Sequence, residues 1–367
     1  MQTETHPMLD LAAWDAANGD TGLVIADGKT VALNVYDGML VIKDGPMGAA
    51  RERRFARVPR TVKHVVILSG HGYISIDAMR WLEDCEVTYA VIDRSGQSPS
   101  VLATSARYVN PINMRRQAMC GPGMPAAATG TKIFRHLLSV KLEGQARNAE
   151  RILRDDVAAK AIRGQLDGLA VARDVTALMG YEGGAADAYW QAWAGMPIAW
   201  LRQPTKPHWL TFPMRKSLRR NWETNRGATD PVNALLNFAY KCAETECILA
   251  CYACALSPDM GIGHVDRAGR SSFALDLIEV MRPECDAIVA GILAERLDKR
   301  MFREDREGCV SVCAPLTHRV AAEVHSARNA ITKALFTVLP LLDSPQSRRV
   351  ETKRAAIDAN DLEVVAS

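Results

Sequence analysis

No apolar run in this 367-residue chain approaches the length of a membrane span, so no helical membrane anchor is expected. The first 20 residues are acidic and polar, with neither a basic start nor an apolar core. A secretory leader is therefore not expected, and the sequence points to the cytoplasm. Nine cysteines, an odd number in a long chain, do not suggest a disulfide framework. No internal repeat is evident. Gly70-His71-Gly72 follows an apolar run but lacks the third glycine of a dinucleotide loop, and the helix after it is short. The formal net charge is only +3, so the molecule as a whole is not a polycation.

What is present divides the chain in two. Residues 21–26, 31–36 and 39–42 are short β-rich runs separated by Asp27-Gly28 and Asp37-Gly38, each a hairpin signal. An apolar strand over 63–69, a helix over 75–85 and a second strand over 87–93 follow. Beyond residue 105, amphipathic alanine- and leucine-rich helices are predicted over 131–154, 156–169, 171–178, 182–194 and 231–256. Others are expected over 272–280, 285–297 and 316–338. Asp230-Pro231 supplies an N-cap followed by proline at the first helical position. The expected class is α+β: a small β-rich N-terminal domain (1–104), a larger all-α domain (105–343) and a polar tail (344–367).

Basic residues are clustered. Arg51, Arg53, Arg54, Arg57, Arg60 and Lys63 crowd one segment. Lys206, Arg215, Lys216, Arg219, Arg220 and Arg226 form a second group, interleaved with Trp209, Phe212 and Trp222. Cations neutralise phosphates and aromatic faces stack on unpaired bases, so the clusters together point to nucleic acid. Arg57, Arg60, Arg215, Lys216, Arg219 and Arg220 are the candidate DNA contacts, and Trp209 or Trp222 a candidate stacking partner for a frayed end. The alternative is a solvated surface with the tryptophans tucked into the core. Cys251-x-x-Cys254 and Cys309-x-x-x-Cys313 resemble two halves of a zinc site. Cys247, Cys251 and Cys254 nevertheless recur at helical spacing, as a packed face would.

Chemistry concentrates in Gly261-Ile-Gly-His264 and Ser272-Phe-Ala-Leu-Asp276-Leu-Ile-Glu279-Val-Met-Arg282-Pro283. Asp276 and Glu279 lie three apart on one face of a helix that is apolar nearly all round. Carboxylates on a buried helix need a compensating cation. With His264 just upstream they form an oxygen-rich set of the kind divalent metals bind. The competing account is a plain Glu279–Arg282 pair with Asp276 facing solvent.

The order of motifs resembles the CRISPR-associated integrase family, Cas-one. Gly180-Tyr-Glu182-Gly, Asp230-Pro-Val-Asn233-Ala-Leu-Leu-Asn-Phe-Ala-Tyr240, Ser257-Pro-Asp-Met-Gly-Ile-Gly-His264 and the Ser272–Pro283 segment carry the likeness. Arg57-Val-Pro, the stretch 65–75, Ala78-Met-Arg-Trp-Leu82, Val91-Ile-Asp-Arg-Ser-Gly96 and Lys141-Leu-Glu-Gly-Gln145 agree with it, over roughly residues 30–300. The resemblance implies a β-rich N-terminal domain that dimerises, a helical catalytic domain, and assembly on a Cas-two dimer. It places the metal-binding glutamate on Glu182, the histidine on His264, the last ligand on Glu279 and a further active-site acid on Asp276. The implied reaction is insertion of short DNA into a repeat array by 3′-hydroxyl attack, with hydrolysis from the same site. One imidazole with carboxylates suits Mg²⁺ or Mn²⁺. The rivals are an integrase of a mobile element, a non-catalytic DNA-binding scaffold of the same fold, and an unrelated hydrolase of small phosphorylated molecules.

Overall fold

The computed structural model describes residues 22–28, 30–45, 50–58, 61–69, 71–92, 111–202, 206–215 and 227–343, and the backbone of 99–102. Ten strands are found among them: β1 (Leu23–Asp27), β2 (Val31–Tyr36), β3 (Met39–Asp44), β4 (Arg51–Phe55), β5 (His64–Leu68), β6 (Gly72–Ile74), β7 (Thr88–Ile92), β8 (Pro99–Leu102), β9 (Phe302–Glu304) and β10 (Val310–Val312). The helices are α1 (Ile76–Asp84), α2 (Pro111–Met119), α3 (Ala127–Arg151), α4 (Asp156–Val171), α5 (Val175–Trp193), α6 (Pro231–Ala253), α7 (Ser272–Leu293), α8 (Leu316–Ser326) and α9 (Asn329–Leu342). A strand-rich N-terminal region thus precedes a helical one, as the α+β expectation required.

The strands form two four-stranded sheets, ordered β1-β5-β7-β8 and β4-β3-β2-β6. Asp37 and Gly38 both take positive φ, 51° and 73°, and join the antiparallel β2 and β3 in register Tyr36↔Met39. That is the two-residue hairpin expected there. The hairpin expected at Asp27-Gly28 is not formed. All five residues of β1 are buried, so this strand suits a two-sided parallel position, and it pairs with β5 instead of β2. β5, α1 and β7 make a parallel strand–helix–strand unit, α1 capped by the Ser75 hydroxyl, which accepts from the Ala78 N–H at 3.1 Å. Val24, Ile42, Val65, Trp81 and Leu82 share the core of this region.

Compactness divides the described residues into two units that do not follow a single cut near residue 105. One holds those within 1–107, 190–249 and 284–328; the other those within 108–189, 250–283 and 329–367. The helical part is also not all-α, since β9 and β10 form an antiparallel pair where sequence periodicity gives no signal. Two predicted breaks are absent. The helices expected at 171–178 and 182–194 are one element, α5, running through Gly180, Gly183 and Gly184. Those expected at 272–280 and 285–297 are likewise one, α7, which carries Pro283 inside it. Packing overrides propensity in both cases. The helix expected over 316–338 is instead two, α8 and α9.

The second unit places α3 unusually close to the first half of α7. A Cβ added at Gly144 would stand 2.5 Å from Pro283 Cβ, and Asn148 Nδ2 donates to the Pro283 carbonyl at 2.7 Å. Glycine at 144 is what allows this approach. Glycine-to-alanine changes at open helical positions gain up to about 1 kcal/mol. At Gly144 we expect the opposite: Gly144→Ala lowers the melting temperature, costing about 1–3 kcal/mol by overpacking, as read by calorimetry.

Candidate active site

Lys141, one turn before Gly144 on α3, reaches two carboxylates. Its Nζ donates to Glu182 Oε1, from α5, and stands 2.5 Å from Glu279 Oε2, from α7. All three residues belong to the second unit. Glu279 also accepts from Arg282 Nε at 3.0 Å through Oε1. The Glu279 side chain is only 6% exposed and that of Lys141 7%, while Glu182 is 17% exposed, so the acids meet on the ammonium with Glu279 the deeper of the two. Burial pushes the Glu279 carboxyl up, but Arg282 and Lys141 outweigh it, with His264 adding to them, and its pKa falls to about 2. Glu279 is therefore an anion throughout the ordinary pH range, and it needs a cation.

Glu182 lies in mid-helix. An acid near a helix N-terminus would have served the dipole alone, and the continuous α5 removes that account. The neighbouring Tyr181 ring occupies the space a Cβ at Gly168 would fill, with its Cε1 2.1 Å away, so close α4–α5 packing fixes the turn that carries Glu182.

His264 is held from behind. Asp276 is fully buried and accepts four hydrogen-bonding groups: the backbone N–H of Ile262 (2.6 Å), Gly263 (3.0 Å) and His264 (2.8 Å), and His264 Nδ1 (2.7 Å). Asp276 does not face solvent. Both its oxygens are committed, which makes it an orienter of the imidazole and leaves Nε2 for a ligand. The Gly261-x-Gly263 turn needs its glycines. A Cβ at 261 would lie 2.1 Å from the His264 carbonyl oxygen, and one at 263 would lie 2.3 Å from the Phe134 ring.

The expected set is thus brought together in two pairs, Glu182 with Glu279 on Lys141 and His264 with Asp276. Among the described residues no three of His, Cys, Asp and Glu are gathered closely enough to hold a metal ion. The donors nevertheless fit a hard divalent cation. The two carboxylates already share one positive charge, and Glu279 Oε2, itself buried, is engaged by that ammonium alone. Sequence reasoning saw Lys141 only within a family motif. Its spacing from the acids carries no local signal.

The other candidates separate. Arg57 is half exposed and pairs with Asp84 at 3.2 Å. Arg215 donates to Asn233 Oδ1 (2.8 Å) and Asn237 Oδ1 (2.9 Å), and its guanidinium lies over the Trp190 and Tyr240 rings at 5.7 and 5.3 Å. It is built into the protein, and a free phosphate contact is not its evident role. Arg60, Lys216, Arg219, Arg220, Trp222 and Arg226 lie outside the described residues. Arg51 and Arg53 bind the buried Asp44 at 2.9 Å each, so the first basic cluster is partly internal. Trp209 is 5% exposed, stacked on Trp200 at 5.8 Å and hydrogen-bonded to Glu304 at 3.1 Å, so it offers no face to a base. All nine cysteines are free. Cys247 and Cys251 are fully buried on α6, and no group of zinc ligands forms among the described residues.

A strand-rich N-terminal region followed by a helical region, the helices carrying two acids that meet on a lysine and a carboxylate-held histidine, defines the class: an α+β fold with a charged site on its helices. Residues 24–313 match the family model for CRISPR associated protein Cas1, and the chain belongs to that family. It is 28% identical over 313 residues to the CRISPR-associated endonuclease Cas1 2 of Pyrobaculum aerophilum, covering 82% of this chain and 94% of that one. It is 27% identical to the endonuclease Cas1 1 of Archaeoglobus fulgidus, covering 79% and 82%. Among solved structures, the fold is similar to a Cas1 protein from Thermotoga maritima (TM-score 0.68, 15% identity, 88% of this chain and 97% of that one). It is also similar to a casposase bound to integration product (TM-score 0.63, 18% identity, 83% and 82%). No described helix is long and apolar enough to cross a membrane.

Asp276→Asn places an amide NH₂ among groups that all donate. We expect a loss of about 2–4 kcal/mol and a changed His264 tautomer balance, read by calorimetry and by imidazole ¹⁵N shifts. Retention of both wild-type values would remove Asp276 from its orienting role.

Proposed function

We propose that this Cas1 protein is a metal-dependent DNA integrase and endonuclease that inserts short DNA into a CRISPR repeat array. The observation that carries the reading is the convergence of Glu182 and Glu279 on one cation, in the unit that also holds a carboxylate-oriented His264. Glu182, Glu279 and His264 Nε2 would hold Mg²⁺ or Mn²⁺. The bound ion would supply Lewis-acid polarisation of the phosphoryl oxygen and a lowered pKa for the attacking hydroxyl.

The reaction is a transesterification. The 3′-oxygen of the captured DNA forms a bond to phosphorus as the repeat's own P–O bond breaks, and the proton of the 3′-hydroxyl passes to the departing oxygen by way of solvent. Water in place of the 3′-hydroxyl gives strand cleavage. Asp276 keeps the imidazole in one orientation, so Nε2 meets its ligand without reorganisation. Glu279, an anion across the ordinary pH range, is ready to accept a cation.

Membership of the Cas1 family brings the partners into the proposal: duplex DNA with single-stranded ends, the repeat array, a second copy of the chain, and a Cas2 dimer. An integrase of a mobile element would use the same site, and DNA substrates rather than the fold distinguish the two. A non-catalytic scaffold has no need of two buried acids and an oriented histidine, while an account based on small phosphorylated substrates has no need of the exposed Arg57.

Glu182→Gln, His264→Ala and Glu279→Gln are each expected to reduce strand transfer and cleavage by at least about 100-fold while leaving duplex binding within a few-fold. Gel assays with and without chelator, beside fluorescence anisotropy, measure both. Integration at the wild-type rate by all three variants would end the assignment. Arg57→Ala should weaken DNA binding modestly and lower the salt slope by about 1, with little change in melting temperature.

A further inference from the structure

Resting on the metal-site reading, we propose that Lys141 is a resident counter-cation of this site. Its ammonium holds the two ligand carboxylates together in the metal-free protein, is displaced when the divalent ion binds, and is received by Gln145 on the same face of α3.

Three observations carry this. First, a single Nζ serves Glu182 and Glu279 from two different helices, where a divalent ion held by the same two acids would have to stand. An ammonium and a divalent cation cannot both stand there. Like charges repel at that range, and each carboxylate oxygen has one inward direction to offer. Second, Lys141 is 7% exposed at its side chain, so its charge is not spread into solvent. It was placed among the acids by folding, one turn from the Gly144 contact that presses α3 onto Pro283. Third, Gln145 lies four residues on, and its Oε1 is buried without a hydrogen-bond partner. A helical side chain leans toward the N-terminal turn, so Gln145 covers the turn that carries Lys141. An unpartnered buried acceptor one helical turn from a displaceable donor is a costly arrangement unless the donor comes to it.

This makes Lys141 a positioning residue. It acts through Glu182 and Glu279 and touches no reacting atom. In its absence the two acids face each other with only Arg282, on Glu279, to offset them, so the metal-free fold should weaken and the site should take up an ion more avidly.

The test uses full-length, metal-free protein, with Mn²⁺ binding followed by electron paramagnetic resonance and melting temperature measured in chelator and at saturating Mn²⁺. Lys141→Met and Lys141→Gln are compared with wild type, the amide variant keeping a donor for the acids without the charge. Both are expected to melt lower in chelator, to gain more from Mn²⁺ than wild type does, and to bind Mn²⁺ about tenfold or more tightly. Gln145→Leu, which removes the receiving acceptor, is expected to bind Mn²⁺ several-fold more weakly than wild type. Folding of the Lys141 variants only when Mn²⁺ is present would support the proposal in its strongest form. Unchanged or weaker Mn²⁺ affinity in folded Lys141→Gln would overturn it, as would failure of both Lys141 variants to fold even at saturating Mn²⁺. Glu182→Gln and Glu279→Gln separate this from the underlying reading. If they bind Mn²⁺ as wild type does, the ligand set itself is wrong. If they lose the ion while both Lys141 variants bind it as wild type does, only the role of Lys141 falls.

Discussion

One ammonium between two carboxylates organises the second unit of this protein. Glu182 and Glu279 come from helices far apart in the chain, and each would be expensive to bury alone. Lys141 makes their burial tolerable. To do so α3 must run close to both α5 and α7, and the chain meets that demand with small residues where the helices cross. Gly144 stands against Pro283 on one side, and Gly168 against Tyr181 sets the neighbouring α4–α5 contact. The helix packing and the charge constellation are therefore one constraint. A bulkier residue at 144 would loosen the ion pairs as well as the core.

The histidine arm follows a separate logic. Asp276 is the most heavily solvated group of the site in the sense that matters inside a protein, with four donors standing in for water. A carboxylate so satisfied has little left to offer a cation, which is why it belongs behind the imidazole and not beside Glu279, although it shares a helix with that residue only three positions away. The two acids of one short motif thus hold different duties, set by what each meets.

Much of the fold was readable where a local rule decides. Asp37-Gly38 makes its hairpin because both residues can take positive φ. Asp230 caps α6 as expected, accepting from the Asn233 N–H at 2.9 Å ahead of Pro231. Asp276 and Glu279 share a helix as their spacing requires. What escaped the linear reading depends on partners far along the chain. Asp27-Gly28 has hairpin chemistry, but a fully buried β1 found its neighbour in β5. The glycines of α5 and the proline of α7 suggested breaks, and packing carried both helices through. Arg51 and Arg53 resembled a phosphate grip, yet their period-two spacing places them together beside Asp44, which stands in register with Arg51. That alternation was the available signal for an internal role. Lys141 had none, because nothing in its own segment reveals two acids waiting on other helices.

The exchange proposed for Lys141 also bears on how such a site stays safe when idle. A pair of bare buried carboxylates would open the fold or capture whatever divalent ion was at hand. With the Lys141 ammonium and the Arg282 guanidinium both in place, the two acids are balanced, and an incoming ion must displace a bonded partner before it can bind. Differential affinity is the only currency by which a ligand shifts such an equilibrium. An ion that gained His264 Nε2 as well as the two carboxylates would have a coordination that Lys141 cannot match. Selectivity would then come from the third ligand, and the Asp276 clamp on the imidazole, one turn from Glu279 on the same helix, would become part of what decides whether the lysine yields.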